Sequence, residues 1–470
     1  MAGLYSSINA TVKALSAQSR ALEITGKNLA NVNNPNYARQ RVLFGDRGTI
    51  ITPQGAESLG LEALGVEQVR DFLLDGQVLR EIAIQSSFEA EQAGYQRAQA
   101  GLGQGIDRAA GANELNGGVG GGIAGAIDGF FNAFQSFAAR PTDDGERQTL
   151  LQKAGILTDR LQLADARLVQ AQSDLNAEID TDVSEVNGLL DSVAELNKQI
   201  SRLEVNAPGS AVDLRDQREA QLEKLAAKLP IEVRETASGQ VQVVAKDASN
   251  ADVMLVDAGN VQGTVAFNGT QITAGSPATV LGLSGGSIHG ALTARDGAIQ
   301  TLRDDLDALA EQFVTAVNTA YNPTNLTGDF FVASGTTAGT ISLVGTLTAS
   351  TLKASDGGPA GDNSVALAIA RLATTSFSTG GGDAIDGSFS GFFSKTVSKL
   401  GQALADANTR VEDQTNIERL VRGQRDAVSG VSLDEEMADL LKYQRSFQAS
   451  SRVFTVLDEL LDNVVNRMGV

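Results

Sequence analysis

Apolar residues recur every seven positions at both ends of this chain. Ile8, Leu15, Leu22 and Leu29 form one series, with small Ala and Ser between them. Leu433, Leu440, Phe447, Phe454, Leu461 and Met468 form a second. Sustained seven-residue spacing marks a coiled-coil seam, so both ends are expected to be helices packing along a stripe. The first should stop at Asn33-Asn34-Pro35, because the residue before a proline is pushed out of the α region. The last opens with Ser432 and Glu435 at capping-box spacing, and with Asp434 and Glu436 where a helix favours negative charge. A helix of roughly 35 residues is about 50 Å long. Apolar along one stripe, such a rod needs a partner.

The interior repeats this theme and then leaves it. Residues 145–205 read as one or two long helices: Leu161, Leu168 and Leu175 set one seam, and Val186, Val193 and Ile200 with Leu189, Leu196 and Leu203 set a paired one. Asn206-Ala207-Pro208-Gly209 breaks the pattern, and a shorter helix runs to Leu229. From Pro230 to about Gly286 the texture becomes short alternating strands, with turns at Ser238-Gly239 and Asn268-Gly269. Residues 288–321 return to helix, 324–362 are rich in Gly, Thr and Ser, and a helical stretch from Asn363 leads into the C-terminal rod.

The pattern predicts a mainly α fold with β insertions: an elongated multi-domain rod with its N- and C-terminal helices paired as a coiled coil. Residues 1–55 and 411–470 would be the terminal coiled-coil domain. Residues 56–229, 287–323 and 361–410 would be a long-helix middle domain. Residues 230–286 would be a β-rich outer insertion, and 324–360 a further β or loop insertion.

Charge supports pairing of the ends. Residues 1–50 carry six basic against two acidic side chains, and 411–470 carry seven against eleven. Lys13, Arg20 and Lys27 fall seven apart, a stripe that is either a solvated face or one that meets an acidic neighbour. Over the whole chain 37 Lys and Arg face 57 Asp and Glu, a net charge of −20. Nucleic-acid affinity rests on neutralising phosphates, so no nucleic-acid partner is expected. No run of about 18 apolar residues exists, so no membrane insertion is expected. The first twenty residues lack the basic and apolar regions of a cleavable signal peptide.

Candidate chemistry is sparse. With no cysteine and one histidine, His289, thiolate sites and His-rich metal sites are excluded. Gly120-Gly121-Gly122-Ile123-Ala124-Gly125 matches a dinucleotide fingerprint in letters only, since loop and not strand precedes it. Gly26-Lys27-Asn28 lacks the hydroxyl of a phosphate loop, and Asp143-Asp144 and Asp304-Asp305 are adjacent pairs that do not face each other across a cleft. His289 reads as a turn or helix-start residue. No catalytic residue, cofactor site or metal site is assigned, and the chain is read as a non-enzyme.

One string is different. Asn28, Asn31, Asn33, Asn34 and Asn36 fall within nine residues where the first helix ends, followed by Tyr37. Asparagine tolerates left-handed backbone and bonds its own chain, which makes a tight polar turn. Asn28, Ala30, Asn31, Pro35 and Tyr37 resemble the N-terminal motif of the bacterial flagellar axial proteins (rod, hook and junction), with Asn36 where a glycine is usual. Gly430-Val431-Ser432-Leu433-Asp434-Glu435-Glu436 and Tyr443 to Ser450 resemble the C-terminus of the hook-associated protein 1 family within that group. So do Phe130-Phe131, Arg140-Pro141-Thr142-Asp143 with Arg147, Asp213 to Arg218, and Gly361-Asp362-Asn363-Ser364, in the family's order along nearly the whole chain.

That resemblance implies a structural protein of the junction between hook and filament. It would be extracellular and exported unfolded by the flagellar export apparatus without a cleavable signal peptide. Implied partners are copies of itself in a ring, the hook protein, a second hook–filament junction protein, and an export chaperone on the C-terminal helix. The two heptad series would be the assembly seam. The alternatives are another axial subunit (hook, rod or filament) and a wall-acting hydrolase carried on axial-protein termini.

Overall fold

The structure is a computed structural model that describes residues 2–46, 48–52, 55–58, 60–103, 122–236, 238–324, 328–359 and 361–463. Helix dominates it. In chain order the helices are α1 (Ala2–Ala30), α2 (Phe72–Leu102), α3 (Ile123–Ala139), α4 (Asp144–Glu204), α5 (Val212–Lys228), α6 (Gly286–Thr293), α7 (Gln300–Tyr321), α8 (Ser364–Arg371), α9 (Phe389–Ser429) and α10 (Leu433–Asp462). A π-turn, Ala294–Ile299, joins α6 to α7. The fold is mainly α with small β insertions, as the pattern predicts.

Residues 145–205 form one helix, α4, of 61 residues. Its first seam, Leu161, Leu168 and Leu175, is buried as expected, and so are Val186, Val193 and Ile200 of the paired one. The leucines of the paired one are shifted. Leu203 is exposed and Leu189 and Leu196 are half-buried, whereas Leu190, Asn197 and Glu204 point inward. An α-helix returns to a face by alternating steps of three and four, so 186, 190, 193, 197, 200 and 204 share one side. Two members of that face are polar, which hides it from a hydrophobic reading.

The chain divides into two compact units. The first comprises Met1–Gln85, Asp182–Gly286 and Gln414–Val470. Within it α1 packs on α10, and Gln18–Ser450 and Asn28–Glu436 hydrogen bonds show that the two helices run antiparallel. Residues 40–68 carry no strand expectation, yet form two hairpins. β1 (Gln40–Asp46) pairs antiparallel with β4 (Leu61–Gln68), and β2 (Thr49–Thr52) pairs with β3 (Gly55–Ser58). Five glycines between 45 and 65 interrupt the alternation that would announce these strands, and β1 and β4 gain support by lying against α1.

The expected strands after Pro230 make two sheets. One is the antiparallel meander β5 (Glu232–Glu235), β6 (Val241–Lys246), β7 (Asp252–Asp257) and β8 (Asn260–Val261). The other joins β9 (Ala266–Phe267), β10 (Ile272–Ala274) and β11 (Thr279–Val280). Val243, Val244, Leu255 and Val256 supply the apolar interior of the meander. Asn197 of α4 caps one end of its two central strands, donating to the carbonyls of Val241 at 2.8 Å and Ala258 at 2.5 Å and accepting the Val241 N–H.

The second unit comprises Ser86–Thr181 and Ser287–Asp413. Its centre is a cluster of rings. Phe130 touches the rings of Phe131, Phe134, Phe313, Phe330 and Phe331, and Phe389 stacks on Phe313 with centroids 4.0 Å apart. The stretch expected as β or loop, 324–360, contains an isolated Phe331–Leu343 bridge and otherwise turns among its described residues. Side chains from the helices hold it. Arg147 donates to the carbonyls of Pro141, Ala349 and Leu352, and Asn363 donates to the Ala138 carbonyl at 2.6 Å. Two strings singled out in the sequence thus clasp the Gly/Thr/Ser segment to α3 and α4.

Helix α6 crosses α2 at close quarters. A methyl group on Gly290 would lie 2.0 Å from the Ser87 carbonyl oxygen, backbone that cannot yield without separating the helices. Gly290→Ala is therefore expected to cost about 1–3 kcal/mol, the range for overpacking, and to lower the melting temperature of the purified chain. An unchanged melt would mean that this crossing is looser than its geometry requires.

Candidate functional site

The asparagine turn at the end of α1 is the centre of a buried polar knot in the first unit. Asn31, Asn34 and Tyr37 each donate a backbone N–H to a carbonyl three residues earlier, and Asn34 Oδ1 accepts the Asn36 N–H. Successive tight turns bring the chain back over the last turn of α1. Asn28 is 2 % exposed, and its amide is fully used. Nδ2 donates to the Gln40 carbonyl at 2.8 Å and to Glu436 Oε2 at 3.0 Å. Oδ1 accepts the Tyr37 hydroxyl at 2.9 Å and the Gln40 N–H at 3.0 Å. An unpaired buried amide is expensive, so four satisfied bonds fix this turn in one geometry.

The C-terminal segment closes the knot from the other side. Arg39 Nε donates to Glu436 Oε1 at 2.7 Å, Nη1 donates to Glu435 at 2.5 Å, and Asp439 lies 3.6 Å away. The Arg39 N–H donates to the Ser429 carbonyl at the end of α9. Arg425 of α9 donates to the Pro35 carbonyl at 3.2 Å. Burial opposes the charge on Arg39, but Glu436 and Glu435 more than offset it and raise its pKa. Burial, followed by the nearby Asp216, Asp213 and Glu436 carboxylates, pushes the Tyr37 hydroxyl upward and keeps it a donor.

Helix α5 supplies the floor. Every charged residue of the string Asp213 to Arg218 is engaged. Asp213 accepts from Gln40 at 3.2 Å, and Asp216 accepts the Ala38 N–H at 3.3 Å and Arg70 at 2.8 Å. Arg215 grips Glu204 with two bonds and Glu235 with a third, and Arg218 donates to Asn197 at 3.0 Å and to the Gly239 carbonyl at 2.9 Å. Three strings far apart in sequence, at 28–37, 213–218 and 430–436, therefore meet in one place. A cavity of about 390 Å³ opens beside them, between the asparagine turn and the α9–α10 turn.

Of the other motif residues, Pro35 contributes only its carbonyl, Asn31 bonds the Lys27 carbonyl, and Ala30 is exposed. Ser432 occupies the N-cap of α10 but makes no side-chain cap bond; Glu435, expected to complete a capping box, turns instead to Arg39. The basic stripe does not meet α10 as a set. Arg20 pairs with its own neighbour Glu23, and Lys27 lies 3.9 Å from Asp213. The cation that does bind α10 is Arg39, outside any heptad. A basic residue following an Asn-rich turn was the available signal.

The heptad residues divide by environment. On α1 the fully buried face is Ala17, Ala21, Ile24, Thr25 and Asn28, while Ile8, Leu15, Leu22 and Leu29 are half-buried. On α10 Leu440, Phe454 and Leu461 are half-buried, and Leu433 and Phe447 are exposed. Met468 lies outside the described residues. Further apolar side chains, Met437, Leu441, Val453, Val456 and Leu460, are exposed on α10.

His289 sits in α6 with Nδ1 2.9 Å from the Ser87 hydroxyl, and burial lowers its pKa. Ser87 is 4 % exposed, and its carbonyl is pressed against Gly290. Gly120 and Gly121 of the dinucleotide-like string lie outside the described residues; Gly122 precedes α3 without a strand before it. Among the described residues no group of three His, Asp or Glu is arranged to hold a metal, and no helix is long and apolar enough to cross a membrane.

Family models match three stretches in chain order. The "Flagella basal body rod protein" model matches residues 8–37, the "Flagellar hook-associated protein FlgK helical domain" model matches 112–331, and the "Flagellar basal body rod FlgEFG protein C-terminal" model matches 424–468. Paired terminal helices bearing rod-type motifs, with a helical segment between them in sequence, are similar to the axial proteins of the bacterial flagellum. Flagellar hook-associated protein 1 of Bacillus subtilis (strain 168) is 27% identical over 531 residues, covering 100% of this chain and 99% of its own. That of Escherichia coli (strain K12) is 23% identical, covering 98% and 100%. The solved flagellar hook junction protein FlgK from Burkholderia pseudomallei shares the fold, with a TM-score of 0.62 at 14% identity over 75% of this chain and 100% of that one. Over its full length the chain is thus similar to flagellar hook-associated protein 1, and its middle resembles the FlgK helical domain.

Proposed function

We propose that this chain is a structural, non-catalytic subunit of the flagellum that forms the junction between hook and filament. In this reading it leaves the cell unfolded through the flagellar export apparatus, with a chaperone on α10 until then. It then assembles as a ring of its own copies, between the hook protein and a second junction protein. The observation that carries the reading is the pair of terminal helices. The polar knot fixes their partnership, yet α10 keeps Met437, Leu441, Val453, Val456 and Leu460 in solvent. Val453, Val456 and Leu460 recur at steps of three and four and so share one face, and an exposed apolar patch is the usual mark of an interaction surface. The half-buried residues Ile8, Leu15, Leu22, Leu29, Leu440, Phe454 and Leu461, with Leu433 and Phe447, are assigned to the assembly seam, shared between the chain and its neighbours. The names of the relatives, hook-associated and hook junction proteins, support the same placement.

A second reading, a different axial subunit, is favoured by the rod-type models at both ends. A strain lacking the chain separates the two. Hooks without filaments, together with flagellin monomers in the medium, are expected; normal filaments would overturn the junction reading. Purified chain that grows alone into long tubes would favour the second. The double change Met437→Asp and Leu441→Asp should leave the melt of the purified chain within about 1 kcal/mol, since both side chains face solvent. In cells it should abolish attachment of filaments to hooks. Normal motility in that variant would remove Met437 and Leu441 from the interface.

A further inference from the structure

The face of α5 beneath the knot carries more acid than its arginines neutralise. Asp216, Glu219 and Glu223 recur at steps of three and four and so share one side of the helix. Arg70, ahead of α2, donates to Asp216 and lies 3.3 Å from Asp75 on α2. Glu223 accepts Arg425 at 2.6 Å and Arg422 at 3.0 Å from α9, and Arg422 also pairs with Glu418. Arg218 stands beside them, committed to Asn197 and Gly239. Among the described residues Glu219 has no hydrogen bond or ion pair of its own. It lines a cavity of about 250 Å³ with Arg70, Asp75 and Arg218. The strand residues on the same wall are already matched: Glu67 pairs with Arg41, and Glu235 with Arg215. Among the described residues Asp75, Asp216, Glu223, Glu418, Asp426 (which also bonds Arg425) and an ionised Glu219 therefore confront Arg70, Arg218, Arg422 and Arg425.

This cluster is wired to the turn that pairs the chain ends. Asp216 holds the Ala38 N–H, Arg70 donates to the Asn36 carbonyl at 3.3 Å, and Arg425 donates to the Pro35 carbonyl. We propose that the acidic face of α5 is a proton-sensitive latch on the 35–39 turn, closed when Glu219 is protonated and loosened when it ionises. The surplus charge then competes with Asp216 and Glu223 for Arg70 and Arg425, and those arginines release the backbone they hold. The latch is independent of where the chain sits in an assembly.

The protonation energetics run the same way. Burial, then the Asp75 carboxylate, raises Glu219 to about 7 against the pull of Arg70 and Arg218. Burial raises Asp216 to about 6 and Asp75 upward, with Arg70 opposing both. In an unfolded chain the glutamate and aspartates would stand at 4.5 and 3.8. Folded values above unfolded ones mean that protonation favours the latched state. That contribution is complete below the unfolded values and is lost as pH rises through about 6 to about 7.

Amide exchange on the full chain, corrected for the pH dependence of the chemical step, tests this. Protection of residues 35–40 should fall about tenfold between about pH 5.5 and about pH 8. In Glu219→Gln, which is neutral and of the same shape, it should stay at the acidic level and change less than about twofold. A pH-independent wild type, or an undiminished fall in the variant, would overturn the latch. A ¹³C titration of the Glu219 carboxyl checks it without mutation: a midpoint of about 7 is expected, and one at the unfolded 4.5 would overturn it.

Discussion

Asn28→Asp will unfasten the two ends of the chain. The new carboxylate would sit where Asn28 Nδ2 now donates to Glu436 Oε2 at 3.0 Å and to the Gln40 carbonyl at 2.8 Å. Two donors are lost, and a second negative charge is placed against Glu436, itself 2 % exposed. A buried charge left without compensation costs about 3–5 kcal/mol, more than the α1–α10 pairing can absorb if helices of this kind draw most of their stability from packing. Exchange protection at residues 31–40 and along α10 should collapse at neutral pH, while α3 and α7 keep theirs. Acidification should restore part of it, because protonating either carboxylate returns a donor to the contact. Asn28→Ala should be milder, since it removes the bonds without adding charge. Equal protection in Asn28→Asp and wild type would mean that the knot does not hold the ends.

Truncating Phe130 to Ala should be the most damaging single change in the second unit. Its ring is 0 % exposed and meets five other rings, drawn from α3, α7 and the 330–331 turn. Phe→Ala at a closed core site costs about 3–5 kcal/mol, from lost burial and from the cavity left behind. The site cannot easily collapse, because Asn318 Oδ1 pins the Phe330 and Phe331 N–H groups at 3.1 and 2.8 Å. The expected result is a melting midpoint several degrees lower and loss of protection in α3 and α7. Phe447→Ala is the matched control. At 37 % exposure it should cost less than about 1 kcal/mol in the isolated chain. If both changes cost the same, the ring cluster is not the core of its unit.

Much of the architecture was readable from residue order. Heptads announced α1 and α10, Pro35 and the asparagines placed the first break, and the change of period after Pro230 placed the strands. These are local signals: each depends on neighbours within a few residues, where side-chain spacing and backbone preference act directly. The three strings now joined in the knot were each visible as unusual, and the resemblance they carry pointed to the family. Residues 40–68 were missed because their strands are short, broken by glycine, and stabilised by α1 and not by their own pattern. The inward stripe of α4 was misplaced by one residue because Asn197 and Glu204, being polar, carry no hydrophobic signal.

What the sequence alone determined is the inventory: a mainly helical chain without thiols, acidic overall, with apolar stripes at its ends and a polar turn after the first. What only the tertiary structure decided is the pairing of polar groups. Nothing in the string shows that Asn28 answers Glu436, that Arg39 and not the Lys13, Arg20, Lys27 stripe meets α10, or that Glu219 is left without an arginine. Hydrophobic burial is nondirectional and leaves a periodic trace along the chain. A buried hydrogen bond requires one donor at one distance and angle from one acceptor. Here the atoms of the buried Asn28–Glu436 bond lie 408 residues apart, and only the folded backbone brings them within reach.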